Sequence, residues 1–206
     1  MRIDSVSQSP DRAGRYLVKF SDGSSMKLYR QTVEDFRMYP GMELENLDAL
    51  RERNSRYSAK MRAVRIISAS SVSKRDLETR LVRKGEGEEQ AKEAVQWLSD
   101  LNLVDDRQTA RQIVESCVRK GYGIQRAKQA LYEKQIPKEF WEEALESYPD
   151  QTERIADFLR SKLRDPEDPK QVKRAIDAAL RRGHSYADVK RALERIGTES
   201  EFQEEY

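Results

Sequence analysis

The sequence predicts a mainly α-helical protein built from three tandem three-helix repeats, with a small β-containing segment in front of them. Apolar residues recur at helical spacing from about residue 58 onward, and the same apolar offsets return around Gly85, Gln135 and Gly183. Apolar and polar residues alternate, as they do in β-strands, only within the first 30 residues. Hydrophobic and charged residues each make up 37% of the 206 residues, a ratio that suits thin, elongated helical packing with much exposed surface.

The first 57 residues form the predicted β-rich extension. The segment SDGS at 21–24 holds an Asp-Gly pair typical of a hairpin turn, and apolar residues alternate on both sides of it. The alternating residues are Tyr16, Val18, Phe20, Met26 and Leu28. Ile3 and Val6 predict a third strand, because a lone hairpin is only marginally stable. Short helices are expected near 32–38 and 46–53, where they would cover the sheet.

Three repeats are predicted at 58–104, 105–149 and 150–197. Apolar residues stand eight and four positions before Gly85, Gln135 and Gly183, which places each pair on one helical face. The pairs are Leu77 and Leu81, Ala127 and Leu131, and Ala175 and Ala179. Six, ten and thirteen positions after the same three residues lie Ala91, Val95 and Leu98; Trp141, Leu145 and Tyr148; and Val189, Leu193 and Ile196. A further helical stripe precedes each set, so each repeat is predicted to hold three helices.

Capping residues predict the same helix limits. Ser73 and Ser185 each stand three residues before an aspartate, the spacing of a capping box, and Asp168 precedes a proline that suits the first helical turn. Asp105 and Asp106 are expected to cap the helix that follows them. Four glycines mark expected left-handed helix ends: Gly85, Gly121, Gly183 and Gly197.

The sequence offers little for catalysis. His184 is the single histidine and Cys117 the single cysteine, so no His/Cys metal cluster or catalytic triad can be nominated, and no glycine-rich phosphate loop occurs. Cys117 follows a helical apolar pattern and is expected to be buried. His184, just after Gly183, is expected to pack or to meet backbone carbonyls at a helix end. The sequence predicts a non-enzymatic protein with no cofactor and no metal.

Paired cations form the predicted contact surface. Lys and Arg total 39 against 37 Asp and Glu, so a net charge of +2 leaves only local patches for a polyanion. The pairs are Arg62 and Arg65, Arg83 and Lys84, Arg119 and Lys120, Arg181 and Arg182, and Lys190 and Arg191. Stacked repeats would line these cations along one side, where they would meet phosphates or an acidic protein groove. The alternative is structural, because cations at a helix C-terminus are favourable for the dipole alone.

The chain is expected to be a soluble protein of the cytoplasm. No apolar run approaches the ~20 residues of a bilayer span, and the first residues, MRIDSVSQS, lack the apolar stretch of a secretory signal. A single cysteine fits a reducing compartment. The acidic segment 198–206, TESEFQEEY, is predicted to be disordered, either as a solubilising end or as a mask for the basic surface.

Four stretches of the sequence resemble the RecX family of RecA regulators. They are SKRDLETRLVRKG at 73–85, LNLVDDRQTA at 101–110, KQALYEKQI at 128–136 and AALRRGHSYADVKRAL at 178–193. Each stretch alone is unspecific, and their order and spacing carry the resemblance over roughly residues 58–197. Thr109 and His184 depart from the pattern, since the family tends to have aromatic residues at these two positions.

The resemblance implies a curved, elongated array of three three-helix repeats that lies in the groove of the RecA filament on single-stranded DNA. Family members bound there limit filament growth or promote its loss, which lowers strand exchange, ATP hydrolysis by RecA and RecA-assisted repressor cleavage. For this role we add Arg126, Lys128 and Arg174 to the paired cations as residues expected to contact RecA or the DNA. A monomer with weak direct DNA contact is expected.

Two other functions stay open. Three-helix units resemble helix-turn-helix domains, so the protein could bind DNA directly, in which case binding without RecA would be tight and would weaken steeply with salt. A general scaffold for another protein partner is the third hypothesis. Near-neutral overall charge favours weak, auxiliary DNA contact over tight DNA binding.

Overall fold

The computed structural model describes residues 1–10, 14–165 and 167–197. Its architecture confirms a mainly helical protein with a small N-terminal sheet. The elements are β1 (Ile3–Gln8), β2 (Arg15–Phe20), β3 (Ser25–Tyr29), α1 (Arg30–Asp35), α2 (Leu47–Ala69), α3 (Lys74–Arg83), α4 (Glu88–Asp100), α5 (Asp106–Arg119), α6 (Ile124–Glu133), a 3₁₀ turn (Lys138–Phe140), α7 (Trp141–Glu146), α8 (Thr152–Lys162), α9 (Pro169–Arg181) and α10 (Tyr186–Arg195). The acidic segment 198–206, expected to be disordered, lies outside the described residues.

The N-terminal sheet confirms the predicted hairpin and the third strand. β1, β2 and β3 are antiparallel neighbours in chain order. In the turn between β2 and β3, Gly23 has a φ of 83°, a left-handed value that favours glycine. The Asp22 carboxylate closes the turn by accepting a hydrogen bond from the Ser24 backbone N–H at 2.9 Å. Inward residues of all three strands share one apolar core: Ile3, Val18, Phe20 and Leu28.

Helix α2 is longer than the helix predicted over 46–53. The pattern predicts a short helix over 46–53 and an extension that ends at residue 57, and the helix prediction is wrong, because α2 runs unbroken from Leu47 to Ala69. The Asn46 side chain caps its first turn, and the helix contains no glycine or proline that would end it earlier. The predicted limit after residue 57 therefore falls inside a helix.

One continuous helix serves two apolar cores. Leu50, near the start of α2, packs with the sheet residues, whereas Ala59 and Ala63 lie in the core formed with α3 and α4. Helix α1 covers the sheet as expected, but it begins at Arg30 and ends at Asp35. Arg37 takes a left-handed φ of 48°, which prevents the helix from reaching residue 38.

The repeated helix ends at Gly85, Gln135 and Gly183 are left-handed turns, with φ of 90°, 53° and 85°; this conformation was predicted at Gly85 and Gly183 and is confirmed at both. After each turn, the next residue donates its N–H to the carbonyl oxygen four residues before the turn. These bonds join Glu86 to Leu81 at 3.1 Å, Ile136 to Leu131 at 3.0 Å and His184 to Ala179 at 3.4 Å. The predicted apolar pairs before the turns are buried in all three copies. Gln135 shows that the turn forms without glycine.

Helix contacts divide the chain into two compact units, one from Met1 to Val104 and one that begins at Asp105. The first unit holds the sheet core and the core of α2, α3 and α4. The second holds one core within α5, α6 and α7 and another within α8, α9 and α10. The limits 58–104, 105–149 and 150–197 stay predictions. Among the described helices, none combines the length and apolarity that a membrane span requires.

Helix α7 is shorter than its apolar stripe predicts. Pro137 and Pro149 flank this part of the chain, which begins as a 3₁₀ turn and leaves the helix at Glu146. Tyr148, predicted on the helical stripe, therefore lies beyond the helix, and its hydroxyl donates to the Tyr122 carbonyl oxygen at 2.6 Å. The Trp141 indole N–H donates to the Ile136 carbonyl oxygen at 3.0 Å.

Most of the predicted N-caps are confirmed. The hydroxyls of Ser73 and Ser185 accept from the backbone N–H three residues on, and the Asp168 carboxylate caps α9 with proline in its first turn. Asp105 caps α5 by accepting from two backbone N–H groups. The capping prediction for Asp106 is wrong, because Asp106 is the first residue of α5 and is buried.

Candidate functional site

The predicted contact cations divide into exposed residues and residues that are engaged inside the fold. The exposed group has side chains that form no ion pair or side-chain hydrogen bond with any other described residue. It contains Arg65, Arg83, Lys84, Arg119, Lys120, Lys128, Arg174, Arg181 and Lys190. These cations are available to a partner. The remaining four, Arg62, Arg126, Arg182 and Arg191, have internal partners.

Arg62 binds two groups within the first unit. Its Nε lies 2.6 Å from an oxygen of Glu86, whose side chain is only 6% exposed, and its Nη1 donates to the Lys84 carbonyl oxygen at 2.9 Å. The Ser58 hydroxyl donates to the same Glu86 oxygen at 2.9 Å. Arg62 therefore neutralises a buried carboxylate and closes the C-terminal end of α3, so its guanidinium is not free for a partner.

Arg126 and Arg191 each hold a carboxylate on their own helix or its capping turn. The Arg126 guanidinium lies 3.1 Å from Glu133 in α6, and it helps to lower the pKa of that carboxyl, after the larger effect of the Gln129 hydrogen bond. Arg191 pairs with Asp188 in the first turn of α10. A partner would have to displace these carboxylates to reach either cation.

Arg182 fastens the end of α9 to the turn between α5 and α6. Its Nη2 donates to the Lys120 carbonyl oxygen at 2.7 Å. The guanidinium carbon lies 4.7 Å from the ring centre of Phe158 and 5.4 Å from that of Tyr122, within cation–π range. The neighbouring Arg181 is exposed and forms no such contact. Arg181 is therefore available to a partner, whereas the adjacent Arg182 is held inside the fold.

Two turns of the second unit meet backbone to backbone around Arg182. The Gly123 N–H donates to the Arg182 carbonyl oxygen at 2.9 Å, and the Gln125 N–H donates to the Gly183 carbonyl oxygen at 3.1 Å. The His184 imidazole Nε2 lies 3.2 Å from the Gly121 carbonyl oxygen. The expectation that His184 meets a backbone carbonyl at a helix end is confirmed. The junction itself was not predicted from the sequence; its signal was two glycines, at 121 and 123, close together after a helix.

A row of cations on α9 extends the predicted site. Four exposed cations lie on one face of the helix: Lys170, Lys173, Arg174 and Arg181. Lys173 and Arg174 follow Lys170 by three and four residues, and Arg181 follows Arg174 by seven, so the spacing matches one or two helical turns. We call these four residues the α9 basic stripe. Asp177 lies on the same face, half-buried, and forms no ion pair with a described residue. Only Arg174 and Arg181 were predicted from the sequence; the helical spacing of Lys170 and Lys173 would have found the other two.

The two side chains with reactive groups, Cys117 and His184, are buried. Burial raises the pKa of the Cys117 thiol, and Cys117 is 6% exposed, as predicted. Burial is the main cause that lowers the pKa of His184 from 6.5. Thr109, where the family pattern suggests an aromatic side chain, is buried in α5. Within the described residues, no group of three or more His, Cys, Asp and Glu side chains is placed to hold a metal ion.

A shallow groove of about 520 Å³ lies between α5 and the short helix α7. Val114, Val118 and Ala144 form its apolar floor, and Arg119 is the one predicted contact cation on its wall. Glu143 on the opposite side is held by ion pairs with Arg107 and Arg111.

Exposed cations that form no ion pair with a described residue lie at helix ends and along one face of α9, and clustered positive charge of this kind attracts anionic partners. Residues 105–145 match the family model described as "RecX, second three-helix domain". The chain is 31% identical over 147 residues to the regulatory protein RecX of Chlorobaculum tepidum, an alignment that covers 69% of this chain and 91% of the relative. This chain belongs to the RecX family.

Solved structures share the fold at lower identity. A crystal structure of a regulatory protein RecX matches with a TM-score of 0.67 at 20% identity, covering 96% of this chain and 99% of that chain. The crystal structure of RecX from Lactobacillus salivarius matches with a TM-score of 0.62 at 20% identity, covering 70% of this chain and 98% of that chain. The resemblance to RecX stated from the sequence is thereby confirmed.

Proposed function

We propose that this protein is a non-enzymatic regulator that binds the groove of the RecA filament on single-stranded DNA and inhibits or destabilises the filament. Bound there, it lowers strand exchange and ATP hydrolysis by RecA in the cytoplasm. The observation that carries the proposal is the set of exposed cations that form no ion pair with a described residue. They lie on helices or helix ends of both compact units, in a chain of the RecX family. The protein acts as a monomer and needs no cofactor.

The proposed mechanism is the summation of weak contacts. Each exposed ion pair contributes about 0.2–1 kcal/mol, so one cation pair alone binds poorly. Several pairs on one molecule bind together with much higher avidity when their spacing fits the partner. A bound molecule shifts the filament between states only by the difference in its affinity for them, so inhibition requires tighter binding to the inactive or disassembling state.

The direct test measures ATP hydrolysis by RecA on single-stranded DNA as the protein is added. We expect hydrolysis to fall, and unchanged hydrolysis at saturating protein would contradict the proposal. In the variant Arg83→Gln with Arg119→Gln, we expect the concentration for half inhibition to rise about three- to tenfold, from two lost contacts of about 0.3–0.7 kcal/mol each. The matched control is Arg51→Gln with Arg160→Gln, which removes the same charge from arginines already paired with Asp48 and Asp157.

Direct DNA binding is the second candidate, and the α9 basic stripe is the observation that favours it. A regular row of cations along one helix face fits a phosphate backbone better than isolated charges do. For a single strand, log affinity falls with log salt at a slope of about −0.7 per phosphate contact, so four contacts give a slope near −3. Tight binding without RecA at that slope would favour this candidate. Recovery of a partner other than RecA from cell extract would favour the general scaffold.

A further inference from the structure

We propose that the acidic segment 198–206 of this chain docks on the α9 basic stripe and masks it. A negatively charged partner, whether DNA phosphates or an acidic protein surface, must displace the segment to reach α9. The docking itself is independent of the proposed function; its consequence for RecA rests on that function. The mask is a built-in competitor that sets the affinity of the protein for polyanions.

The α9 basic stripe carries more positive than negative charge, because its four cations share their face of the helix with one acid, the half-buried Asp177. Lys170, Lys173, Arg174 and Arg181 form no ion pair with any described residue, although Arg174 is near enough to contribute to the lowered pKa of Asp168. Helix α2 differs, because most of its arginines have carboxylate partners. Four of its five arginines are matched with carboxylates, in the pairs Arg51 with Asp48, Arg53 with Asp35, Arg56 with Glu52 and Arg62 with Glu86; the fifth is Arg65. The charge left uncompensated on α9 therefore favours an acidic occupant.

The segment 198–206 has the complementary composition. Its sequence TESEFQEEY carries glutamates at 199, 201, 204 and 205 and no lysine or arginine. The segment thus offers as many carboxylates as the stripe has cations.

The point of attachment puts the segment within reach of the stripe. Helix α10 ends at Arg195 and turns at Gly197, whose φ is 74°, and α10 shares one apolar core with α9. Extended residues span about 3.3–3.6 Å each, so residues 198–206 reach about 30 Å. The 13 residues of α9 rise 1.5 Å each and span about 20 Å. The segment is long enough to run the length of α9.

Tethering makes a weak docking contact effective. A segment joined by a short linker has an effective concentration on the order of 1 mM at its site, which a free peptide would need to match. Arg160, Arg191 and Arg195 already pair with Asp157, Asp188 and Glu153, whereas Lys190 of α10 forms no ion pair with a described residue. The contact is solvent-exposed, so it weakens as salt is raised beyond about 0.15 M, where the screening length is about 8 Å.

The test compares backbone amide NMR spectra of the full chain with those of a full-length variant. The variant carries Glu199→Gln, Glu201→Gln, Glu204→Gln and Glu205→Gln. Docking predicts that amides of α9 shift between the two proteins at low salt and that the difference disappears in 0.5 M salt. A control variant, Glu88→Gln with Glu89→Gln, removes acids from the first turn of α4 and should leave α9 unchanged. Unchanged α9 amides in the tail variant would overturn the proposal.

Two further measurements ask whether docking occurs within one chain and whether it competes with DNA. Dilution distinguishes docking within one chain from docking between copies, and α9 shifts that depend on protein concentration would overturn the intramolecular mask. Binding to a labelled oligothymidine should tighten about three- to tenfold in the tail variant, because a site that is covered two-thirds to nine-tenths of the time loses affinity by that factor. Adding the change Lys173→Gln with Arg174→Gln should abolish this gain; a gain that persists would overturn the proposal.

The RecA assay keeps the two proposals distinguishable. If the α9 shifts occur but neither protein affects ATP hydrolysis by RecA, the docking stands and the proposed function fails. If hydrolysis falls equally with both proteins and α9 does not shift, the mask fails and the proposed function stands. If both are correct, the tail variant inhibits RecA at about three- to tenfold lower concentration than the unchanged chain.

Discussion

Gly123 and Gly183 approach each other so closely that a Cβ atom on Gly123 would lie 2.0 Å from the carbonyl oxygen of Gly183. No pair of larger residues could pack at this distance without moving the backbone. The approach allows the Gly123 and Gln125 N–H groups to donate across to the other turn. The turn after α5 and the turn after α9 therefore behave as one junction within the second unit.

The substitution Gly123→Ala should open this junction. Gly123 has an ordinary φ of −79°, so the cost is steric and not conformational. We expect a loss of about 2–4 kcal/mol in the free energy of unfolding, from overpacking of about 1–3 kcal/mol and about 1 kcal/mol for a lost hydrogen bond. Urea unfolding followed by circular dichroism measures it.

Gly87→Ala is the matched control for that experiment. Gly87 also precedes a helix, with a φ of −67°, but the atoms nearest to its added Cβ belong to the Gln90 side chain, which can rotate away at the cost of its exposed hydrogen bonds with Glu52. We expect a loss below about 1 kcal/mol. Equal losses in the two variants would show that the close approach at Gly123 contributes nothing to stability.

Arg181 and Arg182 should separate binding from stability. Arg182→Ala removes the bond to the Lys120 carbonyl oxygen and the contacts with Phe158 and Tyr122, so we expect a loss of about 1–3 kcal/mol in unfolding free energy. Arg181→Ala should change stability by less than about 0.5 kcal/mol, because this side chain is exposed and forms no ion pair with a described residue.

The same two variants are also compared in binding, where the effect is expected in Arg181→Ala. Since Arg181 belongs to the α9 basic stripe, its loss should weaken DNA binding or RecA inhibition in a folded protein. Unfolding curves and the ATP hydrolysis assay are measured on both variants. Loss of stability in Arg181→Ala, with none in Arg182→Ala, would refute the assignment.

Local physics explains what could be predicted from the sequence. The helix ends at Gly85, Gln135 and Gly183 follow from apolar spacing and the left-handed turn, both of which are set within about ten residues of chain. The caps at Ser73 and Ser185 are equally local. Such features leave a pattern that can be read without knowing the fold.

Contacts between distant residues explain what was missed. The Gly123 and Gly183 approach joins positions 60 residues apart, and neither turn alone shows that the other will meet it. Arg62 and Arg182 look like exposed helix-end cations in the sequence, yet each folds back on a distant carbonyl oxygen. The length of α2 was underestimated because the change of core along the helix, between Leu50 and Ala59, resembles the end of one element.

Arg62 should act as a stabilising residue of the first unit. Arg62→Met keeps the aliphatic stem but leaves the buried Glu86 carboxylate without a cation. We expect a loss of about 2–3 kcal/mol in unfolding free energy, less than for a fully buried pair because Arg62 is partly exposed. Arg65→Met, which removes the same charge from an exposed side chain, should cost less than about 0.5 kcal/mol.

A second substitution tests the cause of that loss. Glu86→Gln in the Arg62→Met background removes the buried charge, so part of the lost stability should return while the Ser58 hydroxyl still has an acceptor. A double variant less stable than Arg62→Met alone would contradict the electrostatic cause. Urea unfolding of the unchanged chain, Arg62→Met, Glu86→Gln and the double variant completes the double-mutant cycle.

The junction should also make stability depend on pH through His184. Burial lowers the pKa of this imidazole below 6.5; the hydrogen bond with the Gly121 carbonyl oxygen opposes the shift, and nearby Arg182 adds to it. The unfolded chain therefore binds the proton more readily than the folded one. The contribution of His184 to stability is complete above about pH 6.5 and is lost as the pH falls through the folded pKa.

Proton NMR can follow this single imidazole directly, since the chain has one histidine. We expect a midpoint below pH 6.5 in the folded protein, and unfolding free energies that fall between pH 7.5 and pH 5.5. His184→Gln should show a smaller fall over the same interval, because the neutral amide has no proton to gain while other groups titrate as before. A midpoint at or above 6.5, or an equal fall in both proteins, would contradict the assignment, since protonation would then cost the junction nothing.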